Sequence, residues 1–350
     1  MALADVQKLM LQGLTEGIFT AAVLLVKLRD TIIFHDPFGT LGGEGTAQVK
    51  QDTLFDLASL TKVIATTPAW LILASRDPHI LDQPLTRWFS DAPEDKAAIT
   101  PRHLLAHISG LPAWRPYYLL HAGDTPRDLF TKEKILSEPL LYQPGESTLY
   151  SDLGFILLGF ILEIETGKRL EIFTSEEIFG PLGQARNLMF LPMCDKDRTA
   201  LTRKGDPPGV VNDLNARALG GVAGHAGLFG TAHGVAEVGS RILLSLKWPD
   251  SFFDKNATRL FCTKAQFGNP CTRPLGFDTP TPEGSSSGRF FSPASLGHTG
   301  FTGTSLWMDP ERELIVVLLT NRVYAGESDF RIKEFRPLVH DAIVEEIMRA

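Results

Sequence analysis

The chain has 350 residues, of which 43% are hydrophobic and 21% charged, so it can bury a large core in one or two domains. Its 34 Lys and Arg residues are outnumbered by 41 Asp and Glu, and no basic block occurs, which argues against nucleic-acid and anionic-membrane partners. Cys194, Cys262 and Cys271 follow neither a CxxC nor a zinc-ligand spacing, so we expect buried thiols, no disulfide and no metal site.

The first predicted element is an amphipathic helix near the start of the sequence. Its apolar face contains Leu3, Val6, Met10 and Leu14. The segment lacks the basic start and continuous apolar core of a signal peptide, so we expect a cytoplasmic protein. The most apolar later run, residues 153–164, is too short to cross a bilayer and predicts a buried core helix.

Strands are predicted early and late in the chain. Two β-rich runs separated by Arg29 and Asp30 indicate a hairpin. From about residue 56 the pattern becomes helical, and Thr100 followed by Pro101 marks one helix start. The run 303–322 holds two more strands joined by a polar turn, before a C-terminal helix. The apolar positions of that helix are Phe335, Val339, Ile343 and Ile347.

This pattern predicts an α/β plus all-α fold, in which both termini build one antiparallel sheet flanked by helices around a mostly helical insertion. We expect residues 1–75 and 230–350 to form the sheet domain and 76–229 the helical domain, with the active site between them. The stretch 268–297, rich in Pro and Gly, predicts a long surface loop that shapes a site.

A serine and a lysine at S-x-x-K spacing are the first candidates for chemistry. On a helix, residues three apart share a face, so Lys62 can reach the hydroxyl of Ser59. A serine in the first turn lies beside free backbone N–H groups that could bind an oxyanion, and a lysine in apolar surroundings can accept a proton. The alternative is an N-capping serine followed by a solvated lysine.

Two further motifs follow in order, one containing Tyr150 and Asp152 and one beginning at His298. With them the sequence resembles the serine β-lactamase and penicillin-binding protein superfamily, in the class C β-lactamase and D-alanyl-D-alanine carboxypeptidase branch with its S-x-x-K, Y-x-N and (K/H)-T-G motifs. The likeness covers most of residues 20–325. It implies a β-lactamase/transpeptidase-like fold.

The resemblance implies catalytic roles. Ser59 would be the acylated nucleophile, Lys62 its proton partner, and Tyr150 the general base and then acid. Because a free phenol has a pKa of about 10, Tyr150 can act as a base only beside cations, for which Lys62 and His298 are the candidates.

It also implies residues that bind the substrate. His298, Thr299 and Gly300 would line the far wall, and the N–H groups of Ser59 and Phe301 would form an oxyanion hole.

The sequence departs from the family pattern at two positions. Asp152 replaces the usual Asn, and its carboxylate would favour the ammonium form of Lys62, so our hypothesis is that Tyr150 is the principal base. His298 replaces the more frequent lysine. A neutral histidine attracts a substrate carboxylate weakly, which makes efficient β-lactam hydrolysis less expected.

Other polar residues have simpler interpretations. The Gly-rich segment 212–238 lacks the βαβ context of a dinucleotide loop and is similar to segments of muropeptide-processing members of the family. Its Asp213, His225 and His233 could be metal ligands, but their spacing fits loop or cap residues better. His103 and His107 lack the glutamate of a zinc-protease motif and are expected to be structural.

We therefore expect a serine hydrolase that acts through an acyl-enzyme on peptidoglycan-derived amides or peptides, as an amidase or D-amino-acid peptidase, with β-lactams as secondary substrates. One alternative is a carboxylesterase, favoured by His298, and another is a penicillin-binding sensor without turnover. We expect a monomer, no cofactor, and a small-molecule or muropeptide substrate. Specificity would reside in residues 113–135 and 268–297.

Overall fold

A computed structural model describes residues 3–120, 127–191, 195–249, 251–264 and 273–349. The α-helices are α1 (Ala4–Thr15), α2 (Thr67–Arg76), α3 (Pro101–Leu105), α4 (Tyr117–Leu120), α5 (Arg127–Ser137), α6 (Asp152–Thr166), α7 (Leu170–Thr174), α8 (Leu214–Ala218), α9 (Ala232–Lys247), α10 (Lys255–Cys262), α11 (Arg322–Ala325) and α12 (Ile332–Arg349). The strands are β1 (Ala21–Leu28), β2 (Thr31–Gly39), β3 (Phe55–Asp56), β4 (Leu188–Phe190), β5 (Leu228–Gly230), β6 (Leu296–Thr299), β7 (Ser305–Asp309) and β8 (Leu314–Thr320).

The main sheet joins strands from the two ends of the sequence. Its order is β2-β1-β8-β7-β6, and every neighbouring pair is antiparallel. Strand β1 is an almost continuous apolar run because both of its faces are covered, by α1 and α12 on one side and by α9 on the other. The predicted antiparallel sheet flanked by helices is confirmed.

A second, small sheet with the order β3-β5-β4 was not anticipated. Its strands are only two or three residues long, too short to show an alternating pattern in the sequence. It matters because β3 ends three residues before Ser59. The domain boundaries at residues 76 and 230 stay a prediction.

Several local predictions are confirmed. Val6 and Met10 of α1 are fully buried, and the first hairpin turns at Arg29 and Asp30. Thr100 caps α3, with Pro101 as its first residue. Helix α6 is the expected core helix. Within the described ranges, every helix is too short or too polar to cross a bilayer.

Two predictions need qualification. The stretch 268–297 is irregular where it is described, but it also buries Leu275 and Phe277 and reaches β6 at its end, so it is not confined to the surface. Cys262 carries a free thiol whose pKa burial raises to about 12. Cys194 and Cys271 lie outside the described residues.

Backbone packs closely on backbone where α6 meets Gly224. A Cβ atom on Gly224 would lie 2.0 Å from the carbonyl oxygen of Phe155, and one on Gly159 would lie 3.1 Å from the Gly224 nitrogen. The Gly224 carbonyl also accepts a 2.6 Å hydrogen bond from the Thr66 hydroxyl. Any side chain at residue 224 would therefore push α6 away.

We expect Gly224→Ala to lower the free energy of unfolding by about 2–4 kcal/mol, because overpacked backbone contacts must separate. Urea unfolding measures the change. Gly154→Ala on α6 is the matched control, since its Cβ would lie at an ordinary 3.5 Å from Leu104 and the helix gains propensity. Equal stability of Gly224→Ala and the parent protein would contradict the close packing.

Candidate active site

Ser59 lies in a tight turn between β3 and a helical segment that widens to a π-helical turn over Lys62–Thr66 before α2. π-Helical turns are frequent at functional sites. Ala58, just before the serine, has φ of +47°, in the left-handed region that costs energy for a residue with a side chain. Its N–H donates to the carboxylate of Asp56 at 2.9 Å, which holds the turn in this shape.

Lys62 is fully buried and donates to three acceptors. Its Nζ lies 3.1 Å from Ser59 Oγ, 2.8 Å from Asp152 Oδ1 and 3.0 Å from the His225 carbonyl oxygen. An ammonium group has three protons, so each has an acceptor. Burial lowers the pKa of Lys62, but Asp152 and then Tyr150 raise it, and the net shift is upward. These neighbours therefore favour the ammonium form of Lys62 in the resting protein.

The Tyr150 hydroxyl is buried beside Ser59 and Lys62, and Lys62 Nζ lies 4.9 Å from the centre of the phenol ring. Burial raises the pKa of Tyr150 and Asp152 adds to the effect, while Lys62 and Ser59 lower it, with a net rise. The resting phenol is neutral. The neighbouring cation thus limits the rise in the Tyr150 pKa but does not produce a resting phenolate.

The position of Tyr150 is fixed from the side by His107. The ring centroids of the two residues are 4.6 Å apart, and His107 Nδ1 accepts a 3.0 Å hydrogen bond from the N–H of Ser151. Burial holds the pKa of His107 well below its usual value, so it is a neutral acceptor. His107 is thus a structural residue, as expected, and it packs directly against the site. His103 is also structural and takes part in the capping box of α3.

His298 lies on β6, with its ring centroid 5.6 Å from that of Tyr150. Burial, followed by repulsion from Lys62 and Arg273, lowers the pKa of His298 to about 3. It is neutral, so the expectation that His298 is one of the cations beside the phenol is wrong. Arg273 takes that place, with its guanidinium carbon 5.8 Å from the ring centroid of Tyr150.

The turn after β6 lies directly against the turn at residues 57–59, which carries the candidate nucleophile Ser59 and is named the nucleophile turn for that reason. The hydroxyl of Thr302 donates to the Asp56 carbonyl at 2.8 Å, and the hydroxyl of Thr304 donates to the Leu57 carbonyl at 3.1 Å. In the described part of the chain no acceptor is found for the N–H groups of Ser59 and Phe301. Both are therefore available to a ligand, as an oxyanion hole requires.

The Gly-rich segment forms another wall of the site. Asp213 accepts a hydrogen bond from the Ala216 N–H at the start of α8 and lies 2.8 Å from His225 Nε2. Burial acts to raise the pKa of Asp213, but His225 and the Ala216 N–H lower it to about 2. Asp213 is thus a helix cap paired with His225, while His233 lies in the first turn of α9.

These walls enclose a pocket of about 780 Å³. Its lining includes Ser59, Tyr150, Asp152, Asp213, His225, His298, Thr299, Gly300 and Phe301. The described parts of both stretches expected to set specificity also contribute, with Trp114 and Tyr118 from one and Arg273 and Asp278 from the other. Arg273 forms an ion pair with Asp278 at 3.2 Å.

Asp56 is a buried carboxylate that the sequence did not single out. Its two oxygens accept from the N–H groups of Ala58, at 2.9 Å, and Asn212, at 2.7 Å, and so join the nucleophile turn to the Gly-rich wall. Burial raises the pKa of Asp56 to about 6 in spite of these donors. The folded protein thus binds the proton of the Asp56 carboxyl group more tightly than the unfolded chain does. The free energy of unfolding that this proton contributes is lost as pH rises through about 6.

We expect Asp56→Asn to remove this pH dependence. Relative to the variant, the parent protein should lose about 2 kcal/mol of unfolding free energy between about pH 4.5 and 7.5. The reason is that Asp56 must ionise in its buried site over this range, whereas the Asn side chain of the variant stays neutral. Urea unfolding of both proteins across this range measures the difference. A constant difference would show that Asp56 does not titrate there.

Comparison with known proteins shows the family of this chain. The sequence model of the Beta-lactamase family matches residues 6–340. A putative D-alanyl-D-alanine carboxypeptidase of Escherichia coli K12 is 32% identical over 83% of this chain and 74% of that protein, and an N-acetylmuramyl-L-alanine amidase of Bacillus subtilis is 33% identical over 89% and 79%.

Solved structures show the same fold. EstCE1, a hydrolase with promiscuous acyltransferase activity, has a TM-score of 0.77 and 23% identity over 97% of this chain and 98% of its own. A penicillin-binding protein homologue from Caulobacter crescentus has a TM-score of 0.74 and 18% identity over 98% and 97%. The chain belongs to the β-lactamase family of hydrolases.

Proposed function

We propose that this chain is a serine hydrolase that forms an acyl-enzyme on Ser59 with amide or peptide substrates derived from peptidoglycan. The observation that carries the proposal is the contact of the Ser59 hydroxyl with the Lys62 ammonium, beside the Tyr150 hydroxyl, at the wall of an open pocket. A capping serine with a solvated lysine would leave Lys62 exposed, whereas Lys62 is fully buried.

In acylation, Ser59 Oγ would attack the carbonyl carbon of the substrate. The serine proton passes to the Tyr150 oxygen while the phenol gives its own proton to the leaving nitrogen, so that the C–O bond forms and the C–N bond breaks. A neutral Tyr150 suits this exchange because no resting phenolate is needed. The N–H groups of Ser59 and Phe301 would bind the oxyanion.

In deacylation, water would attack the acyl carbon, again with Tyr150 as the proton carrier. The water proton passes to the phenol oxygen, and the phenol proton returns to Ser59 Oγ as the ester bond breaks. Lys62 stays charged through both halves, and its positive charge stabilises negative charge that develops on the serine or phenol oxygen.

The charges in the pocket favour a substrate with a carboxylate. Arg273 lines the pocket beside Tyr150 with a partly exposed side chain, so its guanidinium, which already pairs with Asp278, is a cation within reach of an anionic group of a substrate. The relatives named as a D-alanyl-D-alanine carboxypeptidase and an N-acetylmuramyl-L-alanine amidase favour the same class of bond. A β-lactam, which is also a cyclic amide, would fit the same chemistry.

A carboxylesterase is the second candidate, and the neutral state of His298 favours it. With a pKa of about 3, His298 carries no charge that could attract a substrate carboxylate. An ester without a carboxylate would therefore bind beside His298 about as well as a substrate that has one. Turnover of short p-nitrophenyl esters, with no cleavage of D-Ala-D-Ala peptides or muropeptides, would favour the esterase.

Intact-mass spectrometry tests the covalent mechanism. We expect a substrate-derived acyl adduct in the parent protein and none in Ser59→Ala. Tyr150→Phe should slow acylation about 10²- to 10⁴-fold, because the proton carrier is lost. Acylation of Tyr150→Phe at the parental rate would exclude this route, and a lasting β-lactam adduct without released product would indicate a sensor rather than an enzyme.

Asp152→Asn tests the charge on Lys62. An amide oxygen can keep the hydrogen bond to Lys62, so we expect kcat at neutral pH to stay within about tenfold of the parent value. Because Asp152 raises the pKa of both Lys62 and Tyr150, its neutralisation should move the alkaline limb of the pH profile of kcat/KM to lower pH. Asp152→Ala, which lacks an acceptor, is the control and should lose more activity. An unmoved alkaline limb would contradict this assignment.

A further inference from the structure

Two buried arginines hold the turn after β6 from behind. Arg336 on α12 donates from Nη2 to the Gly300 carbonyl at 2.7 Å and from Nε to the Gly303 carbonyl at 3.3 Å. Arg322 on α11 donates from Nε to the Phe301 carbonyl at 2.7 Å. The two residues are only 5% and 2% exposed.

Neither guanidinium has a carboxylate partner within the described ranges. Arg322 makes its other hydrogen bonds to the carbonyls of Glu327 and Asp329. Burial and the nearby Arg322 lower the pKa of Arg336 to about 9, which still leaves it charged at neutral pH. The carboxylates of Asp329 and Glu327 act electrostatically on Arg322, whereas no carboxylate of the described residues acts on Arg336. A buried cation of this kind is costly, so the position of Arg336 against one short turn calls for a role.

The hydrogen bond from Arg336 to the Gly300 carbonyl acts on the peptide group that also carries the Phe301 N–H. The carbonyl of Gly300 and the N–H of Phe301 belong to one peptide group, and a cation at the oxygen of a peptide makes its N–H a stronger donor. The same bond resists rotation of the peptide. Gly300 packs directly on the nucleophile turn, since a Cβ atom there would lie 2.7 Å from the Leu57 carbonyl oxygen.

We propose that Arg336 is a positioning residue that orients and polarises the Gly300–Phe301 peptide, so that its N–H stabilises the oxyanion formed when Ser59 attacks. The assignment rests on the proposed acyl-enzyme function, which includes Phe301 as an oxyanion donor. Arg336 acts on the oxyanion through the peptide, although part of its side chain also lines the pocket.

Kinetics and a transition-state analogue test this role. A boronic acid forms a tetrahedral adduct on a reactive serine, with one oxygen in the oxyanion hole. Arg336→Gln should lower kcat for a p-nitrophenyl ester about 10- to 100-fold, somewhat less than loss of an entire oxyanion donor. KM should change little, and the affinity for phenylboronic acid should fall by a factor similar to that of kcat. Arg336→Lys, which keeps the charge, should recover part of both losses.

The controls separate stability from positioning. Arg349→Met removes an exposed arginine from the same helix and should leave kcat and boronate affinity unchanged. If Arg336→Gln does not fold, Arg336→Lys decides, because one ammonium cannot reproduce the two-carbonyl contact and should lose at least about threefold in both quantities. Parental kcat and boronate affinity in a folded Arg336 variant would overturn the assignment.

Failure of the underlying function gives a different result. If Ser59→Ala hydrolyses the ester as fast as the parent protein, the acyl-enzyme proposal is wrong and the role of Arg336 is wrong with it. If Ser59→Ala is inactive while Arg336→Gln keeps parental kcat and boronate affinity, only the role of Arg336 is wrong.

Discussion

The buried ammonium group of Lys62 is the interaction on which the site depends. Its three acceptors come from the nucleophile turn, the start of α6 and the Gly-rich wall. A buried charge that loses one hydrogen-bond partner destabilises the protein by several kcal/mol. Moving any one of these three segments would remove an acceptor of Lys62, so the Lys62 ammonium fixes all three in place. Thr61 and Thr66, on the same helical segment, add hydrogen bonds to Leu228 and Gly224. Core packing and the geometry of the candidate site therefore share one set of contacts.

Three titratable groups around this cation are neutral for a common reason. Burial disfavours charge on Tyr150, His107 and His298, and repulsion from Lys62 lowers the pKa of both histidines further. The ion pair of Lys62 with Asp152 thus lies beside three uncharged side chains, with the charged groups Arg273 and Asp213 farther along the pocket wall. This arrangement is why we propose the phenol of Tyr150 as the group that moves protons between serine and substrate.

The sequence predicts best what local patterns encode. The apolar runs of β1 and β8 indicated the sheet, and the spacing of Ser59 and Lys62 indicated a contact that the structure confirms. The small sheet left no pattern because its strands are too short. The neutral state of His298 and the place of Arg273 depend on burial and on distant neighbours, which spacing along the chain does not encode. Asp56 and Arg336 were missed for the same reason: each acts on backbone groups far away in sequence.

The hydrogen bonds that assemble the pocket span long stretches of chain. Lys62 reaches across 90 positions to Asp152 and 163 positions to His225, and Thr302 reaches back 246 positions to Asp56. Contacts this distant form late in folding, because long loops must close first. After dilution from denaturant, hydrolase activity should therefore return only with the last step of folding, while the circular-dichroism signal of the helices returns earlier.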